Sequence, residues 1–171
     1  MMKKIIIAAL LLTGYGIAVE IGKIPPKVVL SGKEGAKVDG SAWRSDTLKG
    51  KVHILFYVDP DERKKNDALS QALKKRHFDR NKFASVAVIN LAATWMPNMV
   101  LESLLKKKQK QFPDTVYVKD RQKVLVKKWQ LADDNSDIII FDKAGRVIYK
   151  KFGKVDEAEI PKVLDLIERN L

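Results

Sequence analysis

The sequence predicts an α/β domain with a central mixed sheet and flanking helices. Apolar runs of strand length alternate with stretches whose apolar residues recur at helical spacing. Near the C-terminus two apolar runs are joined by Asp142-Lys143-Ala144-Gly145, a tight hairpin turn that makes part of the sheet antiparallel. The chain then closes on an amphipathic helix with apolar residues at Ile160, Val163, Leu164, Ile167 and Leu171. At 171 residues, 46% hydrophobic and 32% charged, the composition describes one folded domain rather than a disordered tail or two domains.

Met1 to Lys4 is a short basic head, Ile5 to Leu12 is an unbroken apolar run, and Gly16 and Ala18 are small residues at the spacing of a cleavage site. Residues 1–18 are therefore read as a secretory signal peptide cut before Val19, with residues 19–171 as the domain and the periplasm as its compartment. Eight apolar residues are too few for a membrane span, which needs roughly twenty. No second such run follows, so the processed protein is not expected to be an integral membrane protein. No cysteine follows the run either, which excludes a lipid anchor of the lipoprotein type.

Lys27 to Leu30 predicts a first short strand after Pro25-Pro26, with Gly32, Gly35 and Gly40 marking turns around a second. Val52 to Val58 is nearly all apolar, as in a strand buried on both faces. His53 within it is expected to be a hydrogen-bonded core residue. Asp59-Pro60-Asp61-Glu62 is expected to open a helix, with proline in the first turn and acids at its positive end. Its buried stripe is Ala68, Leu69, Ala72 and Leu73. Ala84 to Leu91 predicts the next strand, and Pro97-Asn98 a helix burying Val100, Leu101, Leu104 and Leu105. Thr115 to Val118 is a third strand, followed by a short helix ending near Trp129, which is expected to be core. Asp137 to Phe141 and Arg146 to Lys150 form the hairpin. A last helix is expected from Asp156, with Glu159 completing a capping box.

Strand-helix-strand units imply parallel pairing, and the terminal hairpin adds antiparallel strands. That order is the thioredoxin plan. The stretch Leu48 to Tyr57 resembles the Gly-Lys turn and apolar strand that precede the active-site helix in thioredoxin-like envelope proteins and peroxiredoxins, and Ile138 to Val147 resembles their closing hairpin. Lys128-Trp129-Gln130-Leu131, Asp133-Asp134-Asn135-Ser136 and the hairpin and helix that follow resemble the YtfJ family of small exported proteins, described as thioredoxin-like and of unknown function. The resemblance covers most of residues 19–171 and is most specific from Lys123 to Leu171.

The departures from that plan decide what chemistry remains. The chain contains no cysteine, which removes disulfides, thiolate metal sites and every dithiol redox cycle. Where thioredoxins carry Cys-x-x-Cys, this chain has Tyr57-Val58-Asp59-Pro60-Asp61-Glu62, and their cis-proline position aligns with Ser136 after Asn135. Two histidines leave little for zinc or Ser-His-Asp chemistry. With the scaffold retained and its dithiol site replaced, the expected role is a non-enzymatic binding module of the cell envelope, contacting its partner through Asp59, Pro60, Asp61, Glu62, Trp95, Met96, Pro97, Asn135 and Ser136. No cofactor is expected.

An alternative is a divalent-metal hydrolase. A strand ending in Asp-x-Asp and a later Asp-rich loop resemble haloacid dehalogenase-like phosphatases, with Asp59, Asp61, Asp133, Asp134 and Asp137 as weak metal candidates. Against it, Glu62-Arg63 stands where those enzymes carry Thr or Val followed by an apolar residue, and no cap segment is present. The net charge is +12, and removal of residues 1–18 with Lys3 and Lys4 leaves +10. In the cytoplasm such charge would raise nucleic acid as a partner. For an exported protein no nucleic-acid partner is expected, and the partners are an envelope protein or an anionic envelope component, or the lysines form a solvated face.

Overall fold

The computed structural model describes residues 18–171, so the signal peptide expected over residues 1–18 lies, apart from Ala18, outside the described residues. The strands are β1 (Val29–Leu30), β2 (Gly35–Lys37), β3 (Trp43–Arg44), β4 (Val52–Val58), β5 (Phe83–Asn90), β6 (Thr115–Asp120), β7 (Ser136–Phe141) and β8 (Val147–Phe152). The helices are α1 (Asp67–Arg76), α2 (Asn98–Gln111), α3 (Val124–Trp129) and α4 (Ile160–Asn170). Six strands form one mixed sheet in the order β2-β6-β5-β4-β7-β8, while β1 and β3 make a small separate ribbon. β4, β5 and β6 run parallel; β7 is antiparallel to β4, β8 to β7 and β2 to β6. The domain is thus an α/β thioredoxin-like fold.

The apolar runs of β4 and β7 follow from their central positions. Leu55, Tyr57, Ile139 and Phe141 enter one core layer with Trp43, Leu125 and Trp129. The alternate residues Val52, Ile54, Ile138 and Ile140 enter the other, with Leu69 of α1 and Ile160, Val163 and Ile167 of α4. A strand residue points to the face opposite its neighbour, so a strand covered on both sides needs apolar side chains at every position. His53 is buried, with Nδ1 2.9 Å from the Lys51 carbonyl. Burial lowers its pKa, opposed by the Lys51 hydrogen bond. Trp129 is fully buried, donates from Nε1 to the Pro26 carbonyl at 2.8 Å and packs on Phe141.

Three expectations about helices are corrected. Residues Pro60–Glu62 form a single 3-10 turn and α1 begins only at Asp67. Asp59 Oδ1 accepts from the Asp61 amide at 2.8 Å, closing the turn locally rather than capping a long helix. Val100 and Leu104 are exposed, and only Leu101 and Leu105 of α2 are buried. Their cluster is a small one, completed by buried Leu91, with Val38, Ile89, Met96 and Tyr117 partly buried against it. The sheet narrows here to the three-residue β2, so one stripe of the helix is covered. Finally, α4 starts at Ile160, and no capping box forms. Glu159 instead accepts from the Tyr149 hydroxyl and the Lys151 ammonium, each at 2.9 Å, tying the helix to β8.

Gly35 is required by close packing. A Cβ at this position would stand 1.9 Å from the Lys119 carbonyl oxygen, which no L-residue side chain tolerates without moving β2 off β6.

Candidate functional site at the carboxyl edge of the sheet

In an open α/β sheet, residues at the carboxyl ends of the parallel strands converge on one edge. Here those ends carry Asp59 after β4, Asn90 closing β5 and Asp120 closing β6, and antiparallel β7 begins at the same edge with Ser136 and Asp137. The sequence assigns Asp59, Pro60, Asp61, Glu62, Asn135 and Ser136 to this edge, and the structure brings the two segments together. The Asp59 amide donates to the Asn135 carbonyl at 2.8 Å, and Val58 is paired with Ser136. The Lys65 ammonium lies 2.9 Å from both Asn135 Oδ1 and Glu62, bridging the segments. The Asn135–Ser136 peptide is trans.

Asn66 binds the same corner from beneath. Its buried amide donates to the Ser136 carbonyl, to Ser136 Oγ and to the Gly153 carbonyl at 3.0–3.1 Å, and its Oδ1 accepts from the Val155 amide at 2.9 Å. One side chain therefore joins the start of α1, the start of β7 and the end of β8.

A second polar group is buried beneath the edge. Asp120 accepts from the amides of Gln122, Val124 and Leu125 at 2.9–3.2 Å and from the Tyr57 hydroxyl at 3.2 Å. It thereby seats the first turn of α3 on the sheet. Burial pushes the Tyr57 pKa up, and the Asp120 carboxylate reinforces the shift. Asp133 is held by Lys123 at 2.5 Å and by Asn90 Nδ2 at 3.0 Å. Burial acts to raise its pKa, but the Lys123 hydrogen bond and charge outweigh it and the net shift is downward.

Asp137 differs from the other acids. It is fully buried, its Oδ2 accepts from the Ala132 amide at 2.8 Å, and Oδ1 has no hydrogen-bond partner. The nearby Gly153 amide is engaged by the Ser136 carbonyl at 3.2 Å. Burial pushes the carboxyl up to about 7, although the Ala132 and Gly153 amides and the Lys65 charge oppose it. Asp59 is also raised, first by burial, against the Asp61 amide, with Asp61, Asp134 and Glu62 adding repulsion.

The five metal candidates do not assemble into a coordination set. Asp133 is committed to Lys123 and Asn90, Asp137 to the Ala132 amide and Asp59 to its own turn. Among the described residues no three carboxylates or histidines lie together in a way that could hold a metal ion. Trp95, Met96 and Pro97 lie in the loop after β5, on the same edge. Trp95 is 87% exposed, so it does not plug the core margin, whereas Met96 leans on the Leu91 cluster.

Comparison with known proteins places the chain in a family and supports the fold. The family described as "Bacterial protein of unknown function (YtfJ_HI0045)" matches residues 27–170. The chain belongs to the YtfJ family. It is 28% identical over 132 residues to the uncharacterized protein YtfJ of Escherichia coli, covering 75% of this chain and 72% of that one. Among solved structures it is similar to a thiol peroxidase from Chromobacterium violaceum, with TM-score 0.65, 12% identity and coverage of 91% and 90%. It is also similar to the exposed lipoprotein thioredoxin of Streptococcus pneumoniae, with TM-score 0.59, 13% identity and coverage of 84% and 99%. At these identities the structures establish the fold alone.

Sequence reasoning passes over Asn66, Lys65 and Asp120. Asn66 stands in a polar run, Lys64-Lys65-Asn66-Asp67, that reads as solvated helix. Its burial depends on contacts 70 and 89 residues away in the chain. The one local signal was Asp120, an acid four residues before the apolar run Val124-Leu125-Val126, where a carboxylate can accept from the first amides of a helix. Asn66→Ala leaves several buried backbone groups unpaired and is expected to cost about 2–3 kcal/mol. Thermal unfolding followed by circular dichroism should show a fall of roughly 5–10 °C for a domain of this size. A change under 2 °C would show that the corner is held by other contacts.

Proposed function

We propose that this protein is an exported, periplasmic thioredoxin-fold module that lacks dithiol chemistry and binds another component of the cell envelope through the carboxyl edge of its sheet. One observation carries the reading: the edge keeps a built, immobilised surface although no cysteine remains to use it. Lys65 and Asn66 lock the turn after β4 to the start of β7. Asp59, Pro60 and Ser136 are buried in that corner, so the accessible surface is made by Asp61, Glu62 and Asn135, with Trp95 exposed on the neighbouring loop. A rigid surface loses little conformational entropy on association, and an exposed tryptophan is a favourable contact residue. Export is supported by the basic head and apolar run of residues 1–12, and cleavage after Ala18 would leave residues 19–171 as the functional domain.

The test is photo-crosslinking in the native cell, with the crosslinking residue placed at Asp61, at Trp95 and, as a control, at Glu168 on α4. The first two positions should trap the same envelope component, and Glu168 should not. No reproducible adduct at Asp61 or Trp95 under several growth conditions would overturn the reading, as would insulin reduction or peroxide consumption by the purified protein.

A further inference from the structure

The amino-terminal half of α2 is unusual for a soluble domain. Met99 is 84% exposed, Val100 and Leu104 are each nearly half exposed, and Trp95 stands one turn before the helix. The other half carries Lys106, Lys107, Lys108 and Lys110. Helical spacing aligns Val100, Leu104 and Lys107 on one strip, and Met99, Lys106 and Lys110 on the next. Each strip therefore runs from apolar to basic.

The charge is not balanced within the domain. The single acid of α2, Glu102, is already taken by Arg121 and Lys119. Among the described residues none of the four lysines forms an ion pair. Lys108 and Lys74 instead lie over the ring of Phe112, at 5.3 and 5.8 Å, extending the basic surface beyond the helix end.

We infer that this ridge seats the domain on a bilayer surface containing anionic phospholipid. Tryptophan and methionine side chains enter the boundary between headgroups and acyl chains, and flanking lysines meet the lipid phosphates. Charge complementarity favours a lipid surface over a protein groove. A headgroup layer presents phosphates to all four ammonium groups at once, and the acyl boundary beneath it takes up the adjoining exposed Met99, Val100 and Leu104, so one ligand meets both halves of the ridge. The inference goes beyond the proposed function, because it assigns a lipid ligand to α2 rather than a partner to the carboxyl edge, and it shares only Trp95 with that reading.

Protein isolated from its own cells is mixed with vesicles of phosphatidylethanolamine and phosphatidylglycerol, or of phosphatidylcholine alone. Trp43 and Trp129 are buried, so a blue shift in tryptophan emission on binding reports Trp95. Binding and a blue shift are expected on the phosphatidylglycerol vesicles only, with loss of binding at high salt. Each lysine near an anionic surface contributes roughly fivefold to binding. The variant with Lys106, Lys107, Lys108 and Lys110 changed to glutamine should therefore bind at least tenfold more weakly, and Met99→Ser with Leu104→Ser should remove the blue shift. All these positions are exposed, and unchanged unfolding temperatures would establish that the variants fold.

The inference is overturned by absence of binding, by equal binding to phosphatidylcholine, or by variants that bind like the parent. Full competition by a soluble anionic polysaccharide with no tryptophan shift would also overturn it. None of these outcomes bears on crosslinking at Asp61, so failure here and failure of the envelope-partner reading remain distinguishable.

Discussion

Asp120→Ala is expected to lower the unfolding free energy by roughly 3–5 kcal/mol, because it removes the acceptor for three amides and a tyrosine hydroxyl at once. All four donors lie within 3.2 Å of its carboxylate, and the residue is fully buried. Water cannot replace the lost acceptor without entering the layer that contains Leu125 and Trp129. The Val124 and Leu125 amides should lose protection in hydrogen exchange before the rest of the domain, since their bonds to Asp120 hold the first turn of α3. Asp120→Asn keeps one acceptor oxygen and should lose about half as much. A loss below 1 kcal/mol for the alanine variant would show that α3 is seated by its apolar side chains alone.

The second large effect is a pH dependence centred on Asp137. Its folded pKa is raised to about 7 from an ordinary value of 3.8, so the folded state holds a proton that the unfolded chain has already released. The stabilising contribution is complete below pH about 4 and is lost as pH rises through 7. Between these limits the domain should lose about 1.4 kcal/mol per pH unit from this group, about 4 kcal/mol in all. Acids such as Glu102 and Glu159, whose pKa values are lowered by hydrogen bonds to Arg121 and Lys151, act in the opposite sense as pH falls. The clean measurement is therefore the difference between Asp137→Asn and the parent. Relative to the parent, the variant should gain stability steadily from pH 4 to 7 and then level off. A parallel pair of stability curves would sink this account, as would a carboxyl titration observed by NMR with its midpoint below 5.

The legible parts of the fold were those whose partners are close in sequence or whose burial is two-sided. Val52 to Val58 and Ile138 to Phe141 declare themselves because a strand between two core layers has no polar face. The hairpin at Asp142 to Gly145 declares itself because Asp142 and Gly145 bond to each other locally. The long helix expected at Pro60 fails for a comparable reason: proline and acids suit any helical turn, including one of three residues, and nothing local specifies how far it continues. Val100 and Leu104 mislead because helical spacing shows which residues share a strip but not whether a sheet is wide enough to cover it. At the candidate site the acids were visible as residue types. Their separate fates, with Asp133 paired, Asp137 buried and Asp59 in a turn, depend on residues such as Asn90, Lys123 and Ala132 that only the tertiary fold brings near.

The two outer margins of the sheet have a consequence for self-association. An open strand edge offers unpaired amides and carbonyls to any other chain, and copies of one protein can stack through it. Here one margin is β2, three residues long and pinned by Gly35 against the Lys119 carbonyl. The other is β8, whose first residue is already bonded to the preceding chain: the Gly22 amide donates to the Val147 carbonyl, and the Val147 amide to that of Lys23. Further along β8 come Lys150 and Lys151, whose ammonium groups are tied to the Val19 carbonyl and to Glu159. A second copy adding a strand would have to displace the amino-terminal segment on this side and desolvate adjacent lysines. On the other it would meet a strand too short to hold it. Both margins therefore resist strand addition, so that copies of this basic protein can be crowded together without growing into fibres.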